Sequence, residues 1–510
     1  MRTVEFESSR DEADYIWDSG SQPKPFSKAT LCQIAIFVVV AIAIRVLYTH
    51  GQSITFDEHY EVLLGQHDIT YICHKGDGFP PLYAVTLHFW QSLFGDSTTR
   101  AYSIVLGVIG CLAIGRLGYS LGGKNVGLWS LGLASILPIH AFYTSEGRAY
   151  SLLLLISTLA LGAVVRAIRT DSNRDWIAYV VFATLGLYTH YLFALFVALT
   201  LSVAFVQLRT LKPVFSGAAI IALIAPMVYF WAPCDFKFQQ DWYYRVHFGI
   251  GELAFTYGSY FLGFTLGPSL RELHSLWVRD AIAIVAPWAG LTAAAMCGLI
   301  YASRNRMPLK KETPALLVVA GAPCLMGLMC SLAGVGYQVR YSIWSIVPCI
   351  ILLAWLISHA WYHTIGKVST VVLMLLFALS ITNRHSNDRY RNADLKSVAS
   401  HIQDNSTAAD SPVLVVSGYM AEPLKYYLDD AKWQVDGIPM HADFENRETE
   451  FDQVVRRCFK QAGQQGWLVY TREFHEDSDG VLIEKLRDLA TLKPVGEYAG
   501  AKLYRVEFGS

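Results

Sequence analysis

Ser53-Ile54-Thr55-Phe56-Asp57-Glu58-His59-Tyr60-Glu61 follows directly on an apolar run at residues 31 to 48, and this junction decides how the chain is read. The run is long enough, or nearly so, to cross about 30 Å of hydrocarbon. Three acids and a histidine then stand within a few residues of the bilayer edge. Asp57 and Glu61 are four apart, so a short helix would place them on one face with Glu58 turned aside. Solvated charges at the end of a membrane helix would look the same locally. What separates the two readings is the company Asp57 keeps further along.

Composition sets the class. The chain has 510 residues, 53% of them hydrophobic and 16% charged, with a mean hydropathy of +0.33, whereas soluble domains are about a quarter charged. This is a mainly α, multi-spanning membrane protein. Further apolar windows fall at 98 to 119, 126 to 143, 147 to 167, 176 to 190, 191 to 208, 215 to 233, 281 to 302, 315 to 334, 343 to 361 and 367 to 383, giving about eleven spans. The formal net charge is -1 and no basic tail is present, so no nucleic acid partner is implied. Nine cysteines occur without CxxC pairs, most of them inside apolar runs. Cys73 and Cys234 fall in external parts, where a bridge between them is a pairing that spacing alone cannot fix.

Residues 1–30 are polar and acidic, lack a signal-peptide core, and read as a cytoplasmic tail. The short loops on that side carry Arg116 and Lys124, then Arg166, Arg169 and Arg174, then Arg209 and Lys212, then Arg304, Arg306, Lys310 and Lys311, then Lys367. The opposite short loops carry little more than Arg148 and Arg340. By the positive-inside rule the N-terminus is cytoplasmic. The acidic stretch, the segments near Glu146 and Arg340, and residues 384–510 then face outward in a multi-pass plasma (inner) membrane, above a transmembrane domain at 31–383.

Four further outward segments draw attention. The first external loop, 49–97, holds Lys75-Gly76-Asp77-Gly78-Phe79-Pro80-Pro81-Leu82-Tyr83, whose Gly and Pro force a turn, and the run Leu82 to Phe94 suits a half-buried interfacial helix. Tyr143-Thr144-Ser145-Glu146-Gly147-Arg148-Ala149-Tyr150 sets a carboxylate and a guanidinium between two apolar windows. Either they pair across a helix hairpin or they floor a charged pocket. Tyr188-Thr189-His190-Tyr191 interrupts two apolar runs at the same level, where belt aromatics are also at home. Arg340, in Tyr337-Gln338-Val339-Arg340-Tyr341, suits bidentate capture of phosphate.

In this order Phe56-Asp57-Glu58, Pro80-Pro81-Leu82-Tyr83, Leu93-Phe94-Gly95 with Arg100, and Tyr143 to Tyr150 resemble the protein O-mannosyltransferase and aminoarabinose-transferase superfamily of membrane glycosyltransferases. Thr189-His190-Tyr191 and Arg340-Tyr341 are similar to segments of bacterial members. The resemblance covers roughly residues 31–430. There are two departures. Phe79 stands where members often have His before Pro-Pro, so that histidine's role is lost or passes to His74 or His67. Ser145-Glu146-Gly147-Arg148 stands where many read Gln-Glu-Ala-Arg, which keeps both charges and loosens the backbone between them.

The resemblance implies a C-type glycosyltransferase fold and a polyprenyl-phosphate-linked sugar donor, with inversion at the anomeric carbon. Asp57 would be the general base, and Glu58 and Glu146 would orient sugar hydroxyls or cations. Arg340, Arg148 and Lys75 would stabilise the departing phosphate, with Tyr341, His190 and Tyr191 beside the donor. The acceptor would be a lipid, a glycan or a protein. No cofactor is required by the pattern. Carboxylates with His59, His67 or His74 could bind a divalent metal, but the spacing matches no ligand motif.

From about residue 384 charge rises and short β-like runs (Val413 to Ser417, Trp467 to Tyr470, Ala501 to Phe508) alternate with helical stretches, the pattern of a small extracytoplasmic α/β domain. Ser417-Gly418-Tyr419-Met420 leads from strand to helix there, with no nucleophile or base to make a second site. The competing reading of the whole chain is a non-catalytic transporter or scaffold for lipid-linked sugars. It would need charges along a path through the bilayer, whereas mid-span positions here are nearly charge-free.

Overall fold

Apolar runs that cannot leave backbone N–H and C=O groups bare in hydrocarbon fold as helices, and helices dominate the computed structural model of this protein. It describes residues 26–74, 80–230, 249–274, 276–304, 311–334, 336–406, 411–428, 433–438, 447–458 and 465–508. Seven helices among them are long and apolar enough to cross a membrane: Lys28–Thr49, Asp96–Ile136, Tyr150–Thr170, Lys212–Tyr229, Arg279–Ser303, Val339–Ala360 and Thr364–Ser386. The pair Thr313–Ala320 and Ala322–Ala333, bent by 41°, makes an eighth if counted as one span.

The sequence windows map onto these with two differences. Those at 98 to 119 and 126 to 143 fall within Thr99–Ile136, two helical stretches that meet at a kink at Gly123, whose φ of 76° only glycine adopts freely, and the second window continues into Pro138–Ser145. The windows at 176 to 190 and 191 to 208 become the 15-residue helix Asn173–Leu187 and the 16-residue helix Phe193–Leu208, separated by a turn.

Two compact units are built from these and the remaining elements. The first comprises the chain up to Tyr48, Gly65–Gly263 and Pro287–Leu379. Its centre is the Tyr150–Thr170 helix, 83% of whose apolar window is buried, against 17% for Lys28–Thr49. The latter turns Leu31, Ile36, Val39, Ile42 and Val46 outward. Large exposed apolar faces of this kind belong against lipid. The Leu82–Phe94 helix buries Tyr83, Ala84, Leu87 and Gln91 while exposing Phe89, Leu93 and Phe94, the two-faced pattern of an interfacial helix.

The second unit comprises Thr49–Leu64, Phe264–Ala286 and Ser380–Ser510. It holds a five-stranded sheet of β1 (Val413–Val416), β2 (Val435–Gly437), β3 (Gln465–Thr471), β4 (Ala490–Tyr498) and β5 (Ala501–Phe508), in the order β2-β1-β3-β5-β4. β2, β1 and β3 run parallel; β5 and β4 join antiparallel. β1 reads Val-Leu-Val-Val because it is buried on both faces. The Leu395–Asn405 helix buries Leu395, Val398, Ala399 and Ile402, one stripe of a helix, and Asp394 caps it by accepting from the Ser397 N–H. Leu414, Val416, Phe451, Leu468, Leu482, Leu486 and Val506 form the core.

Candidate functional site

In the first unit three stretches far apart in sequence come together. The Pro138–Ser145 helix ends at Glu146, whose extended backbone begins a tight link closed by the Arg148 N–H donating to the Glu146 carbonyl at 2.8 Å, and the Tyr150–Thr170 helix follows. This link is anchored from beneath by Arg45, which has no exposed surface. Arg45 Nε donates to Thr144 Oγ1 at 2.8 Å, Nη1 to the carbonyls of Ala41 and Ser135, and Nη2 to the Ala134 carbonyl and Cys111 Sγ. Nη2 also lies 2.8 Å from His140 Nδ1. A guanidinium only donates, so His140 Nδ1 is the acceptor and its proton sits on Nε2.

The second stretch is the turn after the Asn173–Leu187 helix. His190 N–H donates to the Gly186 carbonyl at 2.9 Å, and His190 Nδ1 accepts from the Leu192 N–H at 3.2 Å, which assigns its proton to Nε2. The third is the 3₁₀ segment Val339–Ser345. Tyr260 Oη donates to the Ser342 carbonyl at 2.7 Å, and the Tyr337 and Ser342 hydroxyls meet at 3.0 Å. Phe193 and Phe196 stack at 4.4 Å and meet Trp344 edge-on at 6.3 and 5.5 Å, locking the second stretch to the third.

What converges is charge in an aromatic setting. Tyr143 and Tyr150 pack edge-on at 5.1 Å, Tyr150 lies 6.3 Å from His190, and the Arg148 guanidinium is 5.7 Å from the Tyr150 ring centre. The charges of Glu146 and Arg340 both reach Tyr143. His190 is buried in its turn, outside both flanking helices. Burial, and then the charges of Arg340 and Arg148, push its imidazole down to about 3, so at neutral pH it is an uncharged N–H donor. Tyr341 is buried in the 3₁₀ segment and Tyr191 half-buried in the turn. Two forked cations and a neutral imidazole donor among tyrosines, where water screens little, suit an oxyanion such as phosphate.

Asp57 and Glu58 lie in the first turn of the Phe56–Gln66 helix, where the macrodipole favours negative charge. Thr55 N–H donates to Glu58 Oε2 at 2.9 Å while Glu58 N–H donates to Thr55 Oγ1 at 3.2 Å, a reciprocal cap. Glu58 is buried; Asp57 is half-buried. This part of the second unit thus holds one acid engaged in holding a helix end and another with more open surface.

Lys75 and Cys234 lie outside the described residues, as does the His74 side chain. Among the described residues no three His, Cys, Asp or Glu side chains group as a metal site.

Residues 79–231 match the family described as "Dolichyl-phosphate-mannose-protein mannosyltransferase". In fold, the chain is similar to the archaeal oligosaccharyltransferase AglB from Archaeoglobus fulgidus in complex with an inhibitory peptide and a dolichol-phosphate, at 11% identity and a TM-score of 0.51 over 94% of this chain and 74% of that one. The oligosaccharyltransferase of the same organism in complex with Zn and sulfate gives 11% identity and a TM-score of 0.50 over 92% and 72%. The chain has the C-type glycosyltransferase fold. No curated protein sequence matches it.

Sequence reasoning missed Arg45, Tyr143, Tyr150 and Tyr337 as parts of the cluster. Arg45 carried a usable signal, a lone cation inside the first apolar window and an exception to the near absence of mid-span charge. The tyrosines carried none that distinguishes them from an aromatic belt.

Proposed function

We propose that the chain moves a sugar from a polyprenyl-phosphate-linked donor to an acceptor hydroxyl at the outer face of the membrane, with inversion and with Asp57 as general base. The observation that carries this reading is the meeting of buried Arg148 and His190 with half-buried Arg340 and Glu146 in one tyrosine-lined cluster. The dolichol-phosphate and peptide bound to the archaeal enzyme support a lipid-phosphate donor and an acceptor, here a lipid, a glycan or a protein. The excess of Lys and Arg in the short loops on the side of the tail supports a cytoplasmic N-terminus and an extracytoplasmic domain at 384–510.

The acceptor oxygen attacks the anomeric carbon while Asp57 takes its proton. The bond from that carbon to the phosphate oxygen breaks, and the lipid phosphate leaves with the electron pair and one more negative charge than it carried as a diester. Arg340 and Arg148 receive that charge through forked hydrogen bonds, assisted by the His190 Nε2–H, with Tyr341 and Tyr191 beside the donor and Glu146 orienting the cations. Glu58 serves the reaction by holding the helix end that carries Asp57.

Transfer from a polyprenyl-phosphate sugar in membranes containing the full-length protein tests this. Asp57→Asn is expected to lower kcat by about 10²- to 10⁴-fold with unchanged expression, and Arg340→Ala to raise the donor KM and lower kcat together. Full transfer by Asp57→Asn would remove the base assignment.

A further inference from the structure

The geometry points to the C-terminal α/β domain as the part that fixes the pose of the Asp57 carboxylate, with Tyr427 and Asn392 as positioning residues. The inference rests on the general-base reading given above. Residues 51–55, leading into the Phe56–Gln66 helix, belong to neither a helix nor a strand. Backbone polar groups removed from water must be satisfied, and residues 391–396 and Tyr427 supply several of the partners. Arg391 Nη2 donates to the Gly51 carbonyl at 2.7 Å, and the Asn392 N–H donates to Gln52 Oε1 at 2.9 Å. Asn392 Nδ2 donates to the Ser53 carbonyl at 2.9 Å, the Lys396 N–H donates to Ser53 Oγ at 3.0 Å, and the Ile54 N–H donates to Tyr427 Oη at 2.8 Å.

The hold continues on both sides of Asp57. Tyr419 meets Phe56 edge-on at 5.5 Å, and Tyr426 meets His59 edge-on at 5.8 Å. Tyr419 lies in the connection after β1, and Tyr426 and Tyr427 in the Ala421–Leu428 helix that it opens. Asn392 is itself oriented, because its Oδ1 accepts from Arg384 Nη2 at 2.9 Å, which turns the amide nitrogen toward Ser53. Each contact is ordinary alone. Together they clamp the chain immediately before and after the proposed base, and a reacting group displaced by 1 Å can lose about 10²-fold in rate.

Tyr427→Phe removes one oxygen and keeps the ring, and Asn392→Ala removes the amide. Both are made in the full-length protein and assayed for transfer from a polyprenyl-phosphate sugar, beside Asp57→Asn and with thermal unfolding followed in detergent. Tyr427→Phe is expected to lower kcat about tenfold, to leave the donor KM within about twofold, to move the acid limb of the kcat–pH profile, and to unfold within a degree or two of wild type. A kcat and pH profile like those of wild type in Tyr427→Phe, with Asp57→Asn inactive, overturns the positioning role and leaves the base assignment standing. So does a loss of rate that only parallels a lower unfolding temperature. Full activity in Asp57→Asn overturns the base reading first, and this inference with it. Should Asn392→Ala fail to fold, Tyr427→Phe decides alone.

Discussion

A guanidinium can sit inside a membrane domain only where its N–H groups find acceptors. Arg45 does so by reaching Ala41 one turn back and Cys111, Ala134, Ser135, His140 and Thr144 on other helices. Its neighbourhood is tight. A Cβ on Gly107 would stand 2.5 Å from Thr144 Cβ and 3.1 Å from Arg45 Nε, so only glycine lets the Thr99–Ile136 helix approach this knot. Replacing Arg45 with Met strands several buried acceptors and is expected to cost about 3 kcal/mol of stability. It should also weaken donor binding, because Thr144 stands in the last turn of the helix that leads into the link bearing Glu146 and Arg148. Arg45→Lys, with three donors instead of five, should recover part of both. Thermal unfolding and donor KM measure these effects, and an Arg45→Met protein that unfolds at the wild-type temperature would show the knot to be idle. The charge at position 45 is plain in the sequence. Its partners are not, because most lie 66 to 99 residues away along the chain, a separation that no local pattern encodes.

At the scale of elements, the acidic stretch illustrates how one string of residues carries two meanings. Thr55-Phe56-Asp57-Glu58 is a Thr-x-x-Glu capping box as well as a cluster of acids beside a membrane. The structure shows the box closed, with Glu58 bonded back to Thr55. The two neighbouring carboxylates should therefore respond differently to the same change. Glu58→Gln preserves the cap, since an amide oxygen can accept the Thr55 N–H, and should keep transfer within a few-fold of wild type. Thr55→Ala removes half of the cap, should cost about 1 kcal/mol, and should slow transfer only as far as the helix end frays. Side-by-side transfer rates for Asp57→Asn and Glu58→Gln test the division of labour, and equal loss in the two would refute it. Element type was legible where the signal was strong, as in the apolar run of β1 and the periodic stripe of the Leu395–Asn405 helix. β2 is three residues long and β4 contains Pro494, Gly496 and alternating exposed residues, so neither announces itself.

Across the whole molecule the sequence delivers domains as consecutive blocks, whereas the second unit is assembled from three separated stretches. Residues 264–286 join the others through Glu272, a connection invisible in the sequence because both partners look like ordinary surface charges. Glu272 Oε2 accepts from the Ser269 N–H at 2.8 Å, the Ser269 hydroxyl at 2.9 Å and Arg389 Nε at 2.7 Å, while Arg271 Nη2 donates to the Asp388 carbonyl at 2.7 Å. Partial burial pushes the Glu272 carboxyl up, but the Ser269 N–H, Arg389 and the Ser269 hydroxyl more than offset this and hold it below the usual glutamate range. A carboxyl whose folded value lies below its unfolded one stabilises the fold above the unfolded value, about 4.3. That contribution is lost as pH falls through the lower, folded value. Glu272 and Arg389 are each roughly a third exposed, so solvent screening keeps the effect small. Wild-type protein is thus expected to lose unfolding temperature more steeply than Glu272→Gln as pH falls below about 4.3, with the two converging at the acid end, where the wild-type carboxyl is protonated. Arg389→Gln should make the wild-type slope shallower over the same range. Unfolding temperatures measured at intervals from neutral pH down to pH 3 decide the matter, and parallel curves for wild type and Glu272→Gln would mean that this ion pair does not help to hold the three stretches together.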